Sequence, residues 1–452
     1  MPTRSRRRPD LAIVNCTALL SARTDRVTFG PGTTLEITDG RLTRVDSNPA
    51  APTTALEVID ARGMVAMPGL INTHTHAAMT FLRGAAEDVA VAHWFNDYIW
   101  PMEVNVGERD VYLGTMVAIA EMIECGVTTF ADHYFHMDMA AAAVEETGIR
   151  ANLGSAFFSS QGRTGLETSV AFAERWNGRA GGLITTSIAP HAPYTVNDDD
   201  LRSAAEEAVR LGVKVHIHGA EDSIQTNASL RSRRQTPIQV LEHTGVLDAG
   251  AIIAHGNGIL PDDIPLLAAR RDRVGVTHGP KGYLKFAMGP LTPIADLRAA
   301  GVPVGYCTDG VASNNTLDIL ESMRITALSQ KQIADDATWF RNSLALNMAG
   351  PESAAVLGMR GEIGALSVGA CADVILVDLS GFHCQPVHDL GAAIVYSVQP
   401  TDVRTTIVNG QVLMRDRELL TIDRRALLEE FRQRAREITD RTHGRTIQDY
   451  TQ

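Results

Sequence analysis

Eight short apolar segments alternate with helix-like segments between residues 67 and 309, and this alternation restricts the possible folds more than any other feature. The intervening sequences are rich in alanine and glutamate, as at 111–125 and 199–211. Repeated strand–helix units form parallel sheets, and eight such units close into a (β/α)8 barrel. The sequence therefore predicts an α/β protein built on a TIM barrel. The predicted strands lie near residue 70 and at 127–131, 151–156, 184–189, 213–218, 251–255, 274–278 and 302–309.

Strand-like segments lie on both sides of the barrel in the sequence. In the second group, Asn409-Gly410 is a strong hairpin signal, because a type I′ turn needs a positive φ at both central positions. We predict one small β-sandwich domain, formed by residues 1–66 and 363–452, beside a barrel at 67–362. Residues 423–443 have the apolar spacing of an amphipathic closing helix. The flanking strands are predicted at 11–14, 34–37, 42–45, 56–59, 372–378, 392–397 and 405–412.

Composition and charge narrow the possible partners and the compartment. A net charge of −12 disfavours nucleic-acid binding, and no segment approaches the roughly 20 apolar residues of a membrane span. Five scattered cysteines without a Cys-x-x-Cys pair fit a reducing compartment. Residues 4–8 resemble the start of an export signal, but Pro9-Asp10 interrupts the pattern. We predict a cytoplasmic protein with a small-molecule partner, and we expect residues 4–8 to lack a fixed structure.

His74 and His76 close the first apolar segment, and their i, i+2 spacing places both side chains on one face of a strand. Residues at the carboxyl ends of barrel strands converge on one active face. A metal site needs three or four ligands, and His218 and Asp309 close the fifth and eighth predicted strands. We predict that His74, His76, His218 and Asp309 bind one divalent metal ion. This ligand set suits zinc, with iron(II) and manganese as alternatives.

Metal-assisted hydrolysis also needs groups that move protons. Glu221 follows His218 by three residues and is predicted to contact the substrate as a proton shuttle that protonates a ring nitrogen. The alternative for Glu221 is a helix N-terminal acid favoured by the helix dipole. His255 is predicted to orient the attacking water or help deprotonate it together with Asp309, and the alternative is a fourth metal ligand. The sequence thus predicts a metal-dependent hydrolase.

The other histidines are less constrained by their surroundings in the sequence. The fourth strand ends at His191 without the lysine that often bridges a second metal ion, so we predict one metal and a substrate contact for His191. His216 lies one pleat repeat deeper than His218 and is predicted to be a packed, hydrogen-bonded residue. His278 closes the seventh strand, and its role stays open. No comparable motif supports His93, His133, His136, His243, His383, His388 or His443.

Four longer segments match motifs that occur together in one family. They are Pro-Gly-Leu-Ile-Asn-Thr-His-Thr-His-Ala-Ala-Met-Thr at 68–80, Trp94 through Trp-Pro-Met-Glu at 100–103, Pro-His-Ala-Pro-Tyr at 190–194, and Thr-Asp-Gly-Val-Ala-Ser-Asn-Asn at 308–315. Over nearly its full length the chain resembles the amidohydrolase superfamily. Within it, the chain is most similar to deaminases of S-adenosylhomocysteine, 5′-methylthioadenosine and related adenosines.

The resemblance implies a metal-dependent enzyme that hydrolytically deaminates an adenosine-like nucleoside to the inosine analogue and ammonia. It implies the metal ligands named above and catalytic roles for Glu221 and His255. It also implies that Glu103 and His191 contact the substrate, with Glu103 bonding the ribose diol. Trp94 resembles a wall of the purine pocket, and a buried structural tryptophan is the alternative. By family analogy, we expect a homo-oligomer.

Two departures from the family pattern bear on the substrate. Residues 277–285 replace an Asn/Ser-rich loop of many relatives, and Gly154-Ser155-Ala156 stands where some relatives bring an arginine for an amino-acid tail. Arg163 is a candidate substitute for that arginine. The alternative functions are an aminohydrolase or chlorohydrolase of a triazine, guanine or pterin, and a non-catalytic scaffold of the same fold.

Overall fold

The computed structural model describes residues 8–48, 52–448 and 450. Except for Arg8, the arginine-rich segment at 4–8 lies outside the described residues. Within these ranges the strands form a parallel eight-stranded sheet and a mixed nine-stranded sheet. In chain order the strands are β1 (Leu11–Ala22), β2 (Val27–Thr38), β3 (Arg41–Asp46), β4 (Glu57–Asp60), β5 (Met64–Pro68), β6 (Leu70–Thr75), β7 (Val127–Tyr134), β8 (Arg150–Phe157), β9 (Ile184–Pro190), β10 (Lys214–Gly219), β11 (Ala251–His255), β12 (Gly275–His278), β13 (Val304–Tyr306), β14 (Val374–Asp378), β15 (Val403–Val408), β16 (Gln411–Arg415) and β17 (Glu418–Leu419).

The parallel sheet contains β6 to β13, and each strand pairs with the next one along the chain. Hydrogen bonds also join the first strand to the last. The Thr73 hydroxyl donates to the Tyr306 carbonyl at 2.8 Å, and the Asp309 amide donates to the His74 carbonyl at 3.1 Å. The sheet therefore closes into a barrel, and the predicted TIM barrel is confirmed.

The mixed sheet combines β1 to β5 with β14 to β17, in the order β17-β16-β15-β14-β5-β1-β2-β3, with β4 beside β1. Segments before and after the barrel thus build one β domain, as the predicted fold class requires. The hairpin between β15 and β16 turns at Asn409 and Gly410, whose φ values are 48° and 79°. The domain boundaries after residues 66 and 362 stay a prediction.

Helices cover the outer face of the barrel. The α-helices are Val91–His93, Trp100–Glu103, Glu108–Glu124, Met137–Thr147, Arg163–Trp176, Arg179–Gly182, Asp198–Leu211, Ser223–Arg233, Pro237–His243, Val246–Ala249, Ile264–Ala268, Pro280–Lys285, Ile294–Ala299, Val311–Asn314, Ile319–Ala334, Asn342–Asn347, Ser353–Val356, Leu390–Ala392 and Arg424–Ile438. Short 3₁₀ or π-helical turns lie at Ala77–Leu82, Trp94–Ile99, Ser159–Gln161, Pro261–Asp263, Met348–Glu352, Phe382–Cys384, Ala393–Ser397 and Pro400–Asp402. In the part of the chain that the structure describes, no helix is both long and apolar enough to cross a membrane.

Residues 392–397, predicted as a strand, are helical instead. The α-helix Leu390–Ala392 continues as the π-helical turn Ala393–Ser397. The Asp389 side chain caps its start by accepting from the Ala392 amide at 2.6 Å, and the Arg324 guanidinium donates to the Val395 carbonyl at 3.2 Å. The β-branched residues suggested a strand, but the cap, the guanidinium and burial in the core favour the helix.

A buried ion pair links the barrel to the mixed sheet. Arg150, the first residue of β8, donates from Nε and Nη2 to both carboxylate oxygens of Asp373 at 2.9 and 3.0 Å. Asp373 lies directly before β14, and one of its oxygens also accepts from the Asn409 amide at 2.8 Å. Both charged side chains are buried. The carboxylate therefore connects the amino end of a barrel strand to the hairpin of the mixed sheet.

Candidate active site

The residues predicted as metal ligands meet at the carboxyl ends of the barrel strands. His74 lies near the end of β6, His76 follows that strand, and His218 lies near the end of β10. Asp309 follows β13 by three residues. His76, His218 and Asp309 line a cavity of about 860 Å³ in the mouth of the barrel, together with His255 at the end of β11. The structure thus brings together side chains that are up to 235 residues apart (309 minus 74).

The donor atoms of this cluster face one another at short range. Asp309 Oδ1 lies 3.2 Å from His76 Nε2 and 3.5 Å from His74 Nε2. His218 Nε2 lies 3.3 Å from His76 Nε2. Ligand atoms of His74, His218 and His255 also lie within 4.8 Å of one another. The His74, His76 and Asp309 atoms meet the same limit, so a small cation could contact all of them.

Hydrogen bonds to the far side of the rings fix how these histidines are protonated. His76 Nδ1 lies 2.6 Å from the His133 carbonyl, and His218 Nδ1 lies 2.7 Å from the His191 carbonyl. A carbonyl only accepts, so each Nδ1 carries a proton and Nε2 of each ring faces the cluster. Burial lowers the pKa of His76, but hydrogen bonds with Asp309 and the His133 carbonyl raise it to about 9, so a divalent metal ion would replace the proton that Asp309 favours on His76 Nε2. The donor set therefore fits a divalent metal ion.

His74 differs from the other two because a second ring supports it. Its Nδ1 lies 2.8 Å from His216 Nε2, so the deeper histidine holds the His74 ring in place. His74 Nε2 is buried and makes no hydrogen bond with any described residue. Burial lowers the pKa of His74 to about 4, against the opposing effect of Asp309, so the ring is neutral. A neutral, unpartnered ring nitrogen is the form in which histidine binds a metal.

Two residues at this site adopt the left-handed backbone region that non-glycine residues rarely occupy. His255 has a φ of 81° and Asp309 a φ of 60°. Such conformations store strain and cluster where function requires a fixed side-chain direction. Asp309 Oδ2 accepts from the Ser313 hydroxyl at 2.7 Å. Burial raises the pKa of Asp309, but the nearby His74 and His76 rings hold it well below its ordinary value, so the group is a carboxylate.

Glu221 presents its carboxyl group to the cavity. Its Oε1 is buried without a hydrogen-bond partner among the described residues, and burial raises its pKa to about 7, against the opposing effects of Gln225 and Tyr194. The helix Ser223–Arg233 is capped by the next residue instead, because the Asp222 side chain accepts from the Gln225 amide at 2.7 Å. The capping role considered for Glu221 is therefore filled by Asp222.

His255 contacts a residue of the segment in which the chain departs from its relatives. Its Nδ1 lies 3.3 Å from the Tyr283 hydroxyl, which also accepts from the Gly279 amide at 3.0 Å. Burial lowers the pKa of His255 to about 3, so the ring is neutral. Tyr283 lies in the helix Pro280–Lys285 and lines the cavity. Water orientation and direct metal binding both stay open for His255.

His133 is a residue of this site that the sequence analysis missed. The second barrel strand was predicted to end at 131, but β7 continues to Tyr134 and carries His133 into the cavity. Its Nε2 donates to the Pro190 carbonyl at 3.3 Å, and its ring centroid lies 4.8 Å from that of His218. Adjacent polar residues such as Asp132 and His133 are typical of a loop, so the strand was predicted to end before them.

The residues predicted to contact the substrate lie on the other walls of the cavity. Glu103 Oε1 accepts from the Tyr134 hydroxyl at 2.7 Å. Burial raises the pKa of Glu103 to about 7, against the opposing effect of that hydrogen bond. Trp94 is buried with its Nε1 unpartnered among the described side chains. His191 Nδ1 lies 2.8 Å from the Thr195 hydroxyl, and burial lowers the pKa of His191 to about 3.

Two residues whose roles the sequence left open lie away from this cavity. His278 is buried, its Nδ1 lies 2.9 Å from the Thr292 hydroxyl, and it does not line the cavity. Arg163 is exposed and pairs with Glu167 at 3.2 Å. Arg163 therefore does not line this cavity.

Comparison with known proteins agrees with this architecture. The sequence profile of the amidohydrolase family matches residues 65–413. The chain belongs to the amidohydrolase family, as its motifs predicted. It is 42% identical to a 5-methylthioadenosine/S-adenosylhomocysteine deaminase of Pelotomaculum thermopropionicum, over 85% of this chain and 88% of that protein.

Two further relatives are also named as deaminases, one of 5′-deoxyadenosine and one of adenosine. A 5′-deoxyadenosine deaminase of Methanosarcina acetivorans is 39% identical over 91% of this chain and 94% of its own. The crystal structure of an adenosine deaminase from Xanthomonas campestris with bound zinc superimposes with a TM-score of 0.90 at 31% identity. The superposition covers 95% of this chain and 98% of that one.

Proposed function

We propose that the protein is a metal-dependent deaminase that hydrolyses the exocyclic amino group of an adenosine-like nucleoside, giving the inosine analogue and ammonia. One observation carries the proposal: a single cavity holds the converging imidazole and carboxylate donors, the unpartnered Glu221 carboxyl and the buried Glu103 carboxyl. The names of the relatives, which are deaminases of adenosines, support the same chemistry. The expected product pair is a six-oxo purine nucleoside and ammonia.

His74, His76, His218 and Asp309 are the proposed ligands of one divalent metal ion. Their three neutral imidazoles and one carboxylate suit zinc, and the zinc bound to the Xanthomonas relative supports that choice. Iron(II) and manganese are the alternatives. When bound, the metal ion supplies Lewis-acid activation of the attacking water.

Different side chains around this site transfer protons and orient the attacking water. Glu221, whose pKa of about 7 lets it gain and lose a proton near neutrality, takes a proton from the water and gives it to the ring nitrogen. His255 and the Asp309 carboxylate orient the water toward the amino-bearing carbon. The water oxygen bonds to that carbon, the second proton of the water passes to the amino group, the carbon–nitrogen bond breaks, and ammonia leaves. The oxygen of the water stays on the ring as the carbonyl.

Glu103 gives the site its preference for a ribosylated substrate. As a carboxylate it has the lone pairs to accept from both ribose hydroxyls. Glu103 also lines a second, outer cavity of about 1660 Å³ that is open to solvent and contains Phe135, Ala156 and Phe158. A nucleoside held by its diol would direct its 5′ substituent into this outer cavity. Trp94 and His191 are the proposed contacts to the purine side.

The direct test is ammonia release by zinc-loaded protein from adenosine, 5′-methylthioadenosine, S-adenosylhomocysteine, adenine, guanine, a pterin and a triazine. The proposal predicts that 5′-substituted adenosines have the highest kcat/KM and that bare rings react poorly. Activity confined to guanine, a pterin or a triazine would retain the metal chemistry and overturn the nucleoside assignment. A zinc-loaded protein inactive on every compound would support the scaffold alternative.

The cellular setting is part of the same proposal. We propose a cytoplasmic homo-oligomer that has no nucleic-acid or membrane partner. The net charge of −12 supports the absence of nucleic-acid binding. Light scattering of the purified protein measures the oligomeric state, and a monomeric mass at micromolar concentration would contradict the homo-oligomer.

A further inference from the structure

Residues 439–450, here called the strap, cross the barrel mouth on the outer side of segment 91–103; the structure describes all of them except residue 449. The preceding helix, Arg424–Ile438, is anchored to the barrel. Arg434 donates to both carboxylate oxygens of Asp110 at 2.7 and 3.0 Å. The predicted closing helix at 423–443 is thus shorter than expected, and its last residues belong to the strap.

Tyr450 makes the most specific contacts of the strap. The Asn96 side chain accepts from the Tyr450 amide at 2.7 Å and donates to the Tyr450 carbonyl at 3.0 Å. The Tyr450 ring stacks on Phe95, with centroids 4.8 Å apart and 17° between the planes, and meets Tyr194 edge-on at 5.7 Å. Only 6% of Tyr450 is exposed. One buried ring therefore joins segment 91–103 to the loop after β9.

The rest of the strap holds the same segment at two more points. The Arg441 guanidinium lies over the Tyr98 ring at 4.2 Å and donates to the Asp97 carbonyl at 2.6 Å. The Asn105 amide donates to the Asp440 carbonyl at 2.6 Å. The strap thus contacts segment 91–103 near its start and in its middle, and it contacts Asn105 just beyond the end of the segment.

Segment 91–103 also forms part of the wall of the active-site cavity. Trp94, Phe95, Trp100 and Glu103 all line it. Helical pieces this short are marginal on their own, and their stability comes from tertiary contacts. The strap provides those contacts from outside, while the substrate would contact the segment from inside. The segment consists of Val91–His93, Trp94–Ile99 and Trp100–Glu103.

The strap also reaches the outer cavity. Arg445, Thr446 and Ile447 line that cavity together with Glu103. The same short stretch of chain therefore supports the wall that carries Glu103 and closes the chamber beyond it. Both features lie on the side where the sugar and its 5′ substituent would bind.

We propose that the strap is a positioning element of the substrate site and that Tyr450 is its main positioning residue. By stacking on Phe95 and pairing with Asn96, Tyr450 holds Trp94 and Glu103 where they meet the nucleoside. The assignment of Trp94 and Glu103 to the nucleoside rests on the proposed function. Among the described residues, the strap contacts none of the proposed metal ligands. It approaches Glu221 only indirectly, because Tyr450 meets Tyr194 edge-on and Tyr194 interacts with Glu221, so we expect the strap to act mainly on binding.

The kinetic test compares Tyr450→Ala with Tyr450→Phe, which keeps the ring and the backbone contacts to Asn96. For 5′-methylthioadenosine we expect Tyr450→Ala to raise KM about tenfold, with kcat within about threefold of the wild type. Tyr450→Phe should raise KM less than Tyr450→Ala does. A fall in kcat at unchanged KM, or equal effects of the two variants, would overturn the positioning role.

Amide hydrogen exchange tests the strap without using activity. In Tyr450→Ala we expect the amides of 91–103 to exchange about tenfold faster, with exchange in the barrel strands unchanged. Unchanged exchange in 91–103 would overturn the proposal, whatever the substrate proves to be. If Tyr450→Ala does not fold, Asn96→Asp replaces it, because a carboxylate cannot donate to the Tyr450 carbonyl. A wild-type protein without deaminase activity would remove the proposed function and leave this exchange result decisive for the strap.

Discussion

Two buried carboxyl groups on opposite sides of the cavity have raised pKa values for the same reason and different proposed tasks. Burial raises the pKa of both Glu103 and Glu221 to about 7. Glu103 is held by the Tyr134 hydroxyl, whereas Glu221 Oε1 has no partner in the described chain. A fixed acceptor suits recognition, and an unpartnered carboxyl with a pKa near neutrality suits proton transfer.

At this scale, Glu103→Gln separates ribose recognition from chemistry. Glutamine keeps the size of the side chain but loses the charge that strengthens two hydrogen bonds. We expect kcat/KM for 5′-methylthioadenosine to fall about 10- to 100-fold, with little change for the residual turnover of adenine. Ammonia release from both compounds measures the effect. Equal losses on the two substrates would show that Glu103 does not contact the diol.

The pH dependence of the wild type provides a control for the same assignment. Because the pKa of Glu103 is about 7, its carboxylate fraction falls as pH falls through neutrality. The ratio of kcat/KM for 5′-methylthioadenosine to that for adenine should therefore decrease from pH 8 to pH 6. Titration of Glu221 changes kcat/KM for both substrates by the same factor, so it leaves their ratio unchanged. The ratio should be independent of pH in Glu103→Gln.

At the scale of elements, the junction between the first and last barrel strands positions two of the proposed metal ligands. The Asn72 side chain donates to the Thr308 hydroxyl at 2.8 Å and accepts from the Thr308 amide at 3.1 Å. Asn72 is two residues before His74, and Thr308 directly precedes Asp309. The buried Asn72 side chain therefore fixes the register of two strands, each of which leads to a proposed metal ligand.

Asn72→Ala should weaken metal binding through this junction. The Thr308 amide loses its buried partner, which costs about 1–3 kcal/mol of stability. The displaced Asp309 should raise the dissociation constant for zinc about tenfold, measured by competition with a chelator. Asn152→Ala is the matched control, since Asn152 joins β8 to β9 through Ser187 and Thr185 near the amino ends of the strands. Equal zinc affinity in both variants would contradict the account.

The elements themselves were predicted with uneven success, for physical reasons. The barrel strands could be predicted because buried parallel strands have continuous apolar runs, and His218 and His255 each end such a run. The end of β7 could not, because Asp132 and His133 are polar residues that are buried in the fold. Residues 392–397 have strand-like side chains, and only the surrounding contacts make them helical.

At the scale of the whole molecule, the Arg150–Asp373 ion pair connects the barrel to the mixed sheet. Asp373→Ala would leave the buried Arg150 guanidinium without its partner, which costs about 3–5 kcal/mol of unfolding free energy. Denaturant unfolding measures the loss, and kcat should stay unchanged below the transition because the pair lies at the amino end of β8. Glu362→Ala, which breaks an exposed pair with Arg41, should cost about 1 kcal/mol or less. A similar loss in both variants would contradict this.

Contacts between segments that are far apart in the sequence are the features that sequence patterns predict least well. Strand-like segments before and after the barrel were enough to predict one β domain from both. Glu103 was placed at the site only by resemblance, because it lies in a helical segment between strands and ends no apolar run. The strap was not predicted at all. Its contacts depend on where the helix Arg424–Ile438 ends, which an amphipathic pattern locates poorly.

The central claim is that one divalent metal ion, held at the barrel mouth, enables deamination of a nucleoside. We would titrate metal-depleted protein with zinc and measure bound zinc and ammonia release from 5′-methylthioadenosine in the same samples. The account predicts activity that rises with bound zinc and levels off at one equivalent per chain. Activity that requires two equivalents, or ammonia release that does not depend on bound metal, would contradict it.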